Sequence, residues 1–339
     1  MKKISFLVPC FNEEENVVPM SEALIAQMGQ LPAYDYEIVF IDNDSQDQTR
    51  RRLEELCAGN KRIKAIFNAR NFGQFNSPFY GMLQTTGDCV ISLCADFQDP
   101  PEMIPQLVAE WEKGYKIVCA VKKQSKENRF VRFLRTIYYK LVRKLSSVRQ
   151  IEHFTGTGLY DRSFVDVLAG LDDPAPFLRG IVAELGFKIV EVPYEQQRRR
   201  AGKTSNNFST LYDAAMLSFT TYTKAPIRCF TLIGLALAAL SLLGAIVFGI
   251  LAGVGYVNFL LGVIVCVIAF LLSGAYIGIG ILGEYVLTLK TKVSHRPLVV
   301  EERRINFDTA EGKEERPAES SAAEERPAPR GGEEGRENA

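Results

Sequence analysis

Up to about residue 120 the chain alternates between short apolar runs and longer amphipathic stretches. Strand-like runs fall at Ile4–Pro9, Tyr36–Ile41, Ile63–Phe67, Cys89–Leu93 and Ile117–Val121. Helix-like stretches lie between them, at about 14–29, 46–58, 74–86 and 101–113. Strands alternating with helical patterns predict an α/β domain whose mostly parallel sheet is joined by crossover helices. Ligands of such sheets bind outside the carboxyl ends of the strands. Four segments sit there: Pro9–Glu14, Asp42–Asp47, Asn68–Gln74 and Cys94–Asp99.

Further along, the pattern changes twice. In 128–147, Phe130, Phe133, Leu134, Ile137, Tyr138 and Leu141 recur at three- and four-residue steps, with arginines and lysines filling most of the rest. The period predicts a basic amphipathic helix, packed on the core or lying in a membrane interface. From Cys229 to Gly283 no residue is charged. That run accommodates two spans of ~20 residues each, at about 229–253 and 259–283, with 253–258 as the break. Lys224 and Arg228 precede the first span, and Lys290, Lys292 and Arg296 follow the second. Positive flanks stay cytoplasmic, so both ends of the hairpin are expected on that side.

Composition refines this picture. Forty basic and forty acidic residues cancel, which argues against nucleic acid as a partner. Seven widely spaced cysteines, none in a Cys-x-x-Cys pair, fit reduced thiols better than a disulfide framework. The run Ile4–Pro9 is too short for a signal peptide and meets acidic residues at once. The expected layout is a domain over 1–215, a juxtamembrane segment and hairpin over 216–290, a cytoplasmic segment over 291–306 and a disordered tail over 307–339. The tail is too polar to offset its chain entropy by burial.

Candidate chemistry lies in the strand-end segments. A carboxylate such as Asp96 can hold a hard divalent cation, which takes oxygen ligands and bridges phosphates. Either Asp96 or Asp99 could instead cap the helix that starts near Pro101, and Asp99 suits the cap better. Asp42 could accept from a base N–H or ribose hydroxyls, or belong to a polar turn in which Ser45 is the helix cap. Pro9, Asn12 and Glu14 could line the same pocket.

Four segments, in order, carry a resemblance: Pro9-x-x-Asn12-Glu13-Glu14, Asp42-x-x-Ser45-x-Asp47-x-Thr49, Arg70-Asn71-Phe72-Gly73, and Ala95 to Glu102. Together they resemble family 2 glycosyltransferases, and within them the polyprenyl-phosphate branch. The likeness covers roughly residues 1–300. It implies a GT-A fold, an inverting transfer from a UDP- or GDP-linked nucleotide-sugar to a polyprenyl phosphate, and a Mg²⁺ or Mn²⁺ ion. Undecaprenyl phosphate is the implied carrier and the cytoplasmic membrane the implied location. The bilayer is an implied partner, and a homo-oligomer is compatible with the family. By motif position, Pro9, Asn12, Glu14 and Asp42 would meet the nucleoside, and Asp96 and Gln98 the metal. Lys122, Arg132 and Arg200 would meet the acceptor phosphate, with Asp96, Arg132 and Arg200 forming the catalytic set.

Three positions depart from the family pattern. The Asp-x-Asp motif reads Cys94-x-Asp96, the paired aspartates read Asp42-Asn43, and an Asp-Phe-Arg segment is replaced by Gly156-Thr157-Gly158. Two other readings share these motifs: a processive polysaccharide synthase, and a degenerate nucleotide-sugar-binding membrane partner. The only tryptophan, Trp111, lies outside any Gln-x-x-Arg-Trp segment, which disfavours the first.

Overall fold

The structure, a computed structural model, describes residues 1–122, 151, 153–171, 173–174, 176–200, 216, 257–293 and 297–307. The chain divides into two units, Met1–Asn306 and Phe307–Ala339. The basic stretch 128–147, the first apolar run 229–253 and nearly all of the tail lie outside the described residues.

In the first unit, eight strands form one sheet in the order β7-β5-β6-β4-β1-β2-β3-β8. The strands are β1 (Lys2–Cys10), β2 (Tyr34–Asp42), β3 (Ile63–Asn68), β4 (Cys89–Ser92), β5 (Ile117–Lys122), β6 (Phe154–Asp161), β7 (Ile189–Tyr194) and β8 (Glu301–Ile305). Strands β1 to β4 are mutually parallel where they pair. Strand β6 runs antiparallel to both β4 and β5, and β7 is parallel to β5. Five of these strands match the apolar runs of the sequence to within two residues at either end.

Helices cover both faces of the sheet. On one face pack α1 (Val17–Met28), α2 (Thr49–Gly59) and α4 (Ile104–Glu112), against Ile4, Phe6, Val8, Ile38 and Phe40. On the other lies α3 (Gly73–Leu83), close enough that a Cβ on Gly81 would sit 2.7 Å from Leu7 Cδ1. With both faces covered, β1 is buried without a break from Ile4 to Val8, with Ser5 the one polar residue, rather than alternating. Two short helices, α5 (Arg162–Ala169) and α6 (Leu178–Glu184), follow β6. Asp161 caps α5 by accepting from Ser163 N.

Strand β8 lies beyond the 215 boundary in sequence but completes the same sheet, antiparallel to β3. It comes after the long helix α7 (Val257–Val293). With only the described residues counted, no helix is long and apolar enough to cross a membrane.

At the amino ends of β1 and β2 a buried carboxylate fixes the sheet. Glu37 accepts from Ser5 Oγ (2.6 Å), Lys3 Nζ (2.9 Å) and Thr86 N (2.7 Å), and pairs with Lys64 (2.9 Å). Burial alone would raise its pKa; the hydrogen bonds from Ser5, Lys3, Lys64 and Thr86 win and hold it near 2, from an ordinary 4.5. A carboxylate with a depressed folded-state pKa stabilises the fold above its unfolded pKa and loses that contribution as pH falls towards 2. The shift corresponds to roughly 3 kcal/mol. Urea unfolding at pH 6 and pH 3 should therefore show a smaller loss of stability on acidification for Glu37→Gln than for the wild type. Equal losses would contradict the assignment.

Candidate active site

The carboxyl ends of β1 to β4 present the segments singled out in the sequence; hydrogen bonds join the first three to one another and the fourth to the segment after β7. The first two loops are laced together. Asn12 N donates to Ser45 Oγ (2.8 Å), Glu13 N to Thr49 Oγ1 (2.8 Å) and Gln46 N to Asn12 Oδ1 (2.8 Å). Asn12 holds a left-handed conformation, φ 54°, which asparagine tolerates better than most residues. Glu14 accepts from Gln48 N (2.9 Å) at the start of α2, so one of its oxygens is used within the loop. Ser45 is not the cap of α2: that place is held by Gln48, and Asp47 accepts from Thr49 N (2.9 Å). Pro9 lies half-buried on β1, opposite Ile41.

Asp42 ends β2 fully buried. Its Oδ2 accepts from Arg50 Nε (2.9 Å) and Ser45 N (3.2 Å). Its Oδ1 has no partner among the described residues. A buried acceptor left without a donor costs about 1–3 kcal/mol, so a ligand N–H or O–H reaching this oxygen would gain that much in return. Arg50 also donates to Glu302 Oε2 (2.9 Å) and to Asn68 O (2.8 Å). Burial would lower the guanidinium's pKa; the bonds to Asp42 and then Glu302 raise it.

Asn43 explains its own departure from the paired-aspartate pattern. Its Nδ2 donates to Asn71 Oδ1 (2.8 Å) and Gly73 O (3.3 Å), while its Oδ1 accepts from Asn68 Nδ2 (3.1 Å) and Phe72 N (2.9 Å). Both ends of the amide are used to hold the Arg70–Gly73 segment. An aspartate would have no donor to offer there.

Asp96 follows β4 and is 5% exposed. Its Oδ1 accepts from Gln98 N (3.1 Å) and its Oδ2 from Arg199 Nη2 (2.9 Å). The segment after β7 lies across this loop: Gln197 N donates to Gln98 O (3.1 Å) and Arg200 N to Asp96 O (3.3 Å). The Arg200 guanidinium stands 5.4 Å from the centre of the Phe97 ring. Glu13 is in electrostatic reach of both Asp96 and Arg199. Burial first, then the Asp96 and Asp47 charges, outweigh Asn16 and Arg199 and raise its pKa.

Asp99 is not a helix cap. It is buried, and its two oxygens accept from Thr157 Oγ1 (2.5 Å) and from the Tyr194 hydroxyl. These bonds tie the Asp96 loop to β6 and β7, and they give the Gly156-Thr157-Gly158 segment a structural task. Gly158 is needed for the close approach of β5, since a Cβ there would lie 2.3 Å from Val118 O. Lys122, half-buried, ends β5 within electrostatic reach of Cys94. Arg132 lies outside the described residues. Arg199 and Glu13 were not singled out in the sequence. The run Arg198-Arg199-Arg200 signals a cation there, but not which guanidinium meets the carboxylate.

The donor set decides what kind of cation the site suits. Cys94 has solvent-exposed surface yet is ringed by protein. Desolvation, then Asp99 and Asp96, push its thiol up, so it stays protonated near neutral pH and is no ligand for a hard ion. Among the described residues no three metal-capable side chains cluster. One carboxylate is nevertheless enough for Mg²⁺ when substrate phosphates complete its shell. Asp96 fits an ion that arrives with a diphosphate, provided that Arg199 gives way.

A doubly covered, mostly parallel sheet with an acidic loop after β4 is the GT-A architecture of a glycosyltransferase. The glycosyl transferase family 2 model matches residues 5–168. A prophage bactoprenol glucosyl transferase homolog of Escherichia coli K12 is 32% identical, over 89% of this chain and 99% of its own. The bactoprenol glucosyl transferase of Shigella phage SfX is 34% identical, over 87% and 97%. An undecaprenyl-phosphate 4-deoxy-4-formamido-L-arabinose transferase of Pseudomonas fluorescens is 29% identical, over 87% of both chains. The chain belongs to the family 2 glycosyltransferases. Among solved structures, Mycobacterium tuberculosis glucosyl-3-phosphoglycerate synthase with UDP overlays at a TM-score of 0.43 and 18% identity. That match covers 65% of this chain and 78% of the other, and is too distant to add to the argument.

The Asn43 hub yields a test. Asn43→Asp should lower stability by about 1–3 kcal/mol, because two acceptors lose their donor and a second carboxylate joins Asp42. Denaturant unfolding of the detergent-solubilised protein reads this out, and a wild-type midpoint would contradict the hub.

Proposed function

We propose that the protein transfers a sugar, with inversion, from a nucleotide-sugar to polyprenyl phosphate at the cytoplasmic membrane face. The observation that carries this reading is the end-to-end similarity to bactoprenol glucosyl transferases, 89% of this chain against 99% of the Escherichia coli relative. Those names favour glucose as the sugar, and the Pseudomonas fluorescens relative's name favours undecaprenyl phosphate as the carrier.

The chemistry follows from the acceptor. A phosphate monoester has a second pKa near 6, so it is already an anionic nucleophile near neutral pH. No side chain need remove a proton from it. The tasks left are positioning, support of the leaving diphosphate and screening of charge between two anions. Asp42 and the Asn12–Glu14 loop would hold the nucleoside. Asp96, with Gln98 beside it, would hold Mg²⁺ or Mn²⁺, which would neutralise the departing diphosphate. Arg199, released from Asp96, and Arg200 next to it would screen the phosphates. Lys122 and Arg132 would receive the acceptor headgroup.

The acceptor's tail requires a bilayer, and the chain has material for one. From Val257 to Gly283, α7 carries no charge. In the sequence the uncharged run begins earlier, at Cys229, and leaves room for two spans of ~20 residues each. Ile264, Ile268, Leu272, Ile279 and Leu282 stand exposed along α7, a stripe suited to lipid or to the other apolar run. The hairpin and the basic stretch 128–147 would together hold the site at headgroup level.

Purified protein is incubated with a panel of radiolabelled nucleotide-sugars and a polyprenyl phosphate. The expected product is a single labelled lipid-phosphate sugar in the organic phase. Asp96→Asn, folded and membrane-bound, should transfer about 100-fold more slowly or less. Label found only in polymer, no lipid product with any donor, or wild-type rates in the variant would overturn the reading.

A further inference from the structure

Strand β8 carries almost nothing but charge, Glu301-Glu302-Arg303-Arg304-Ile305, and its pairing with β3 is irregular. Arg303 faces Phe67 and Glu301 faces Asn68, with a register shift between them. Glu302 is therefore the extra residue of a β-bulge. A bulge re-aims a side chain that strict alternation would send to the opposite face.

The contacts show that re-aiming. Arg303 reaches α2, pairing with Glu54, and lies 4.5 Å from the centre of the Phe67 ring. In a regular strand its neighbour Glu302 would point away from α2. Instead Glu302 meets Arg50 of α2 at 2.9 Å. Glu301 and Arg304 turn to the α3 side, where Arg304 donates to Gln84 (3.3 Å). Arg50 in turn holds Asp42 Oδ2 and spans to Asn68 O. Asp42 keeps its Oδ1 without a partner among the described residues.

We propose that Glu302 is a positioning residue for the donor nucleotide: through Arg50 it fixes the Asp42 carboxylate so that its second oxygen is presented to the nucleoside. This rests on the nucleoside role of Asp42 given above. It adds that the strand following α7 is part of the support of the donor site, so the chain's return from the apolar helix and the grip on the donor are one construction. Without Glu302, Arg50 keeps Asp42, Asn68 O and a longer contact to Asp44 (3.6 Å) but loses the anchor on its far side. The guanidinium can then rotate, and the buried carboxylate with it.

Full-length protein in detergent is titrated with UDP and with GDP, and the tighter ligand is used throughout. The Arg50–Glu302 pair is partly exposed, which limits its worth to about a 2- to 5-fold weakening of nucleotide binding in Glu302→Gln. Donor KM should rise equally, with kcat and the melting temperature unchanged. Glu302→Asp should recover part of the loss. In an Asp42→Asn background, Glu302→Gln should weaken binding no further. Wild-type affinity in Glu302→Gln, or the same loss in both backgrounds while Asp42→Asn itself binds poorly, would overturn the relay alone. Wild-type affinity in Asp42→Asn would remove the nucleoside role of Asp42, and the relay with it.

Discussion

Asp96 is a charge held almost out of water, and such a charge must be balanced where it sits. An unpaired buried carboxylate destabilises a fold by several kcal/mol. Here the balance comes from Arg199, supplied by the segment after β7. Two backbone hydrogen bonds from that segment run to the same loop, at Gln98 and at Asp96 itself. Loop and segment therefore form one unit. On the function proposed above, a cation brought by a diphosphate would exchange with Arg199 at the Asp96 carboxylate, and the displaced guanidinium would lie beside the phosphates it can screen.

The rest of the sheet keeps its own charges satisfied. Glu37 at the amino ends of β1 and β2 is saturated by Ser5, Lys3, Lys64 and Thr86. Asp161 at the end of β6 takes Trp111 Nε1, Lys116 Nζ and Ser163, with burial opposing and those bonds holding its pKa near 2. Asp99, one turn from Asp96, spends both oxygens on Thr157 and Tyr194. Against these closed clusters, Asp42 stands out among the carboxylates for an oxygen without a partner among the described residues. Buried polar groups are nearly always paired, so the exceptions mark where a ligand fits.

The sequence made the core of this legible because its first five strands are buried on both faces and read as mostly apolar runs, interrupted by buried polar residues such as Ser5, Glu37 and Lys64. It left three strands unread, each for a physical reason. β6 is interrupted by Gly156, whose φ of 100° suits glycine, and by Gly158, which permits the close approach of β5. β7 lies at the edge of the sheet and exposes Glu191 and Pro193 on either side of buried Val192. β8 has no apolar pattern at all and is held by ion pairs that only tertiary structure creates. The site divides in the same way. Strand ends pointed to Asp42 and Asp96, because topology alone puts them there. Arg199, Glu13 and the Thr157–Asp99 bond depend on how distant segments cross, and a helix cap was the natural reading of Asp99 without that crossing. Asn43 looked like a defect in a motif; its amide hydrogen bonds show a hub.

The exchange at Asp96 can be seen directly. Crystals or vitrified particles of the full-length protein with the bound nucleoside diphosphate and Mn²⁺ should show the metal's density against the Asp96 carboxylate. The Arg199 guanidinium should have moved off Asp96 to the phosphates. Manganese and diphosphate found elsewhere, with the Arg199–Asp96 pair intact, would contradict the account.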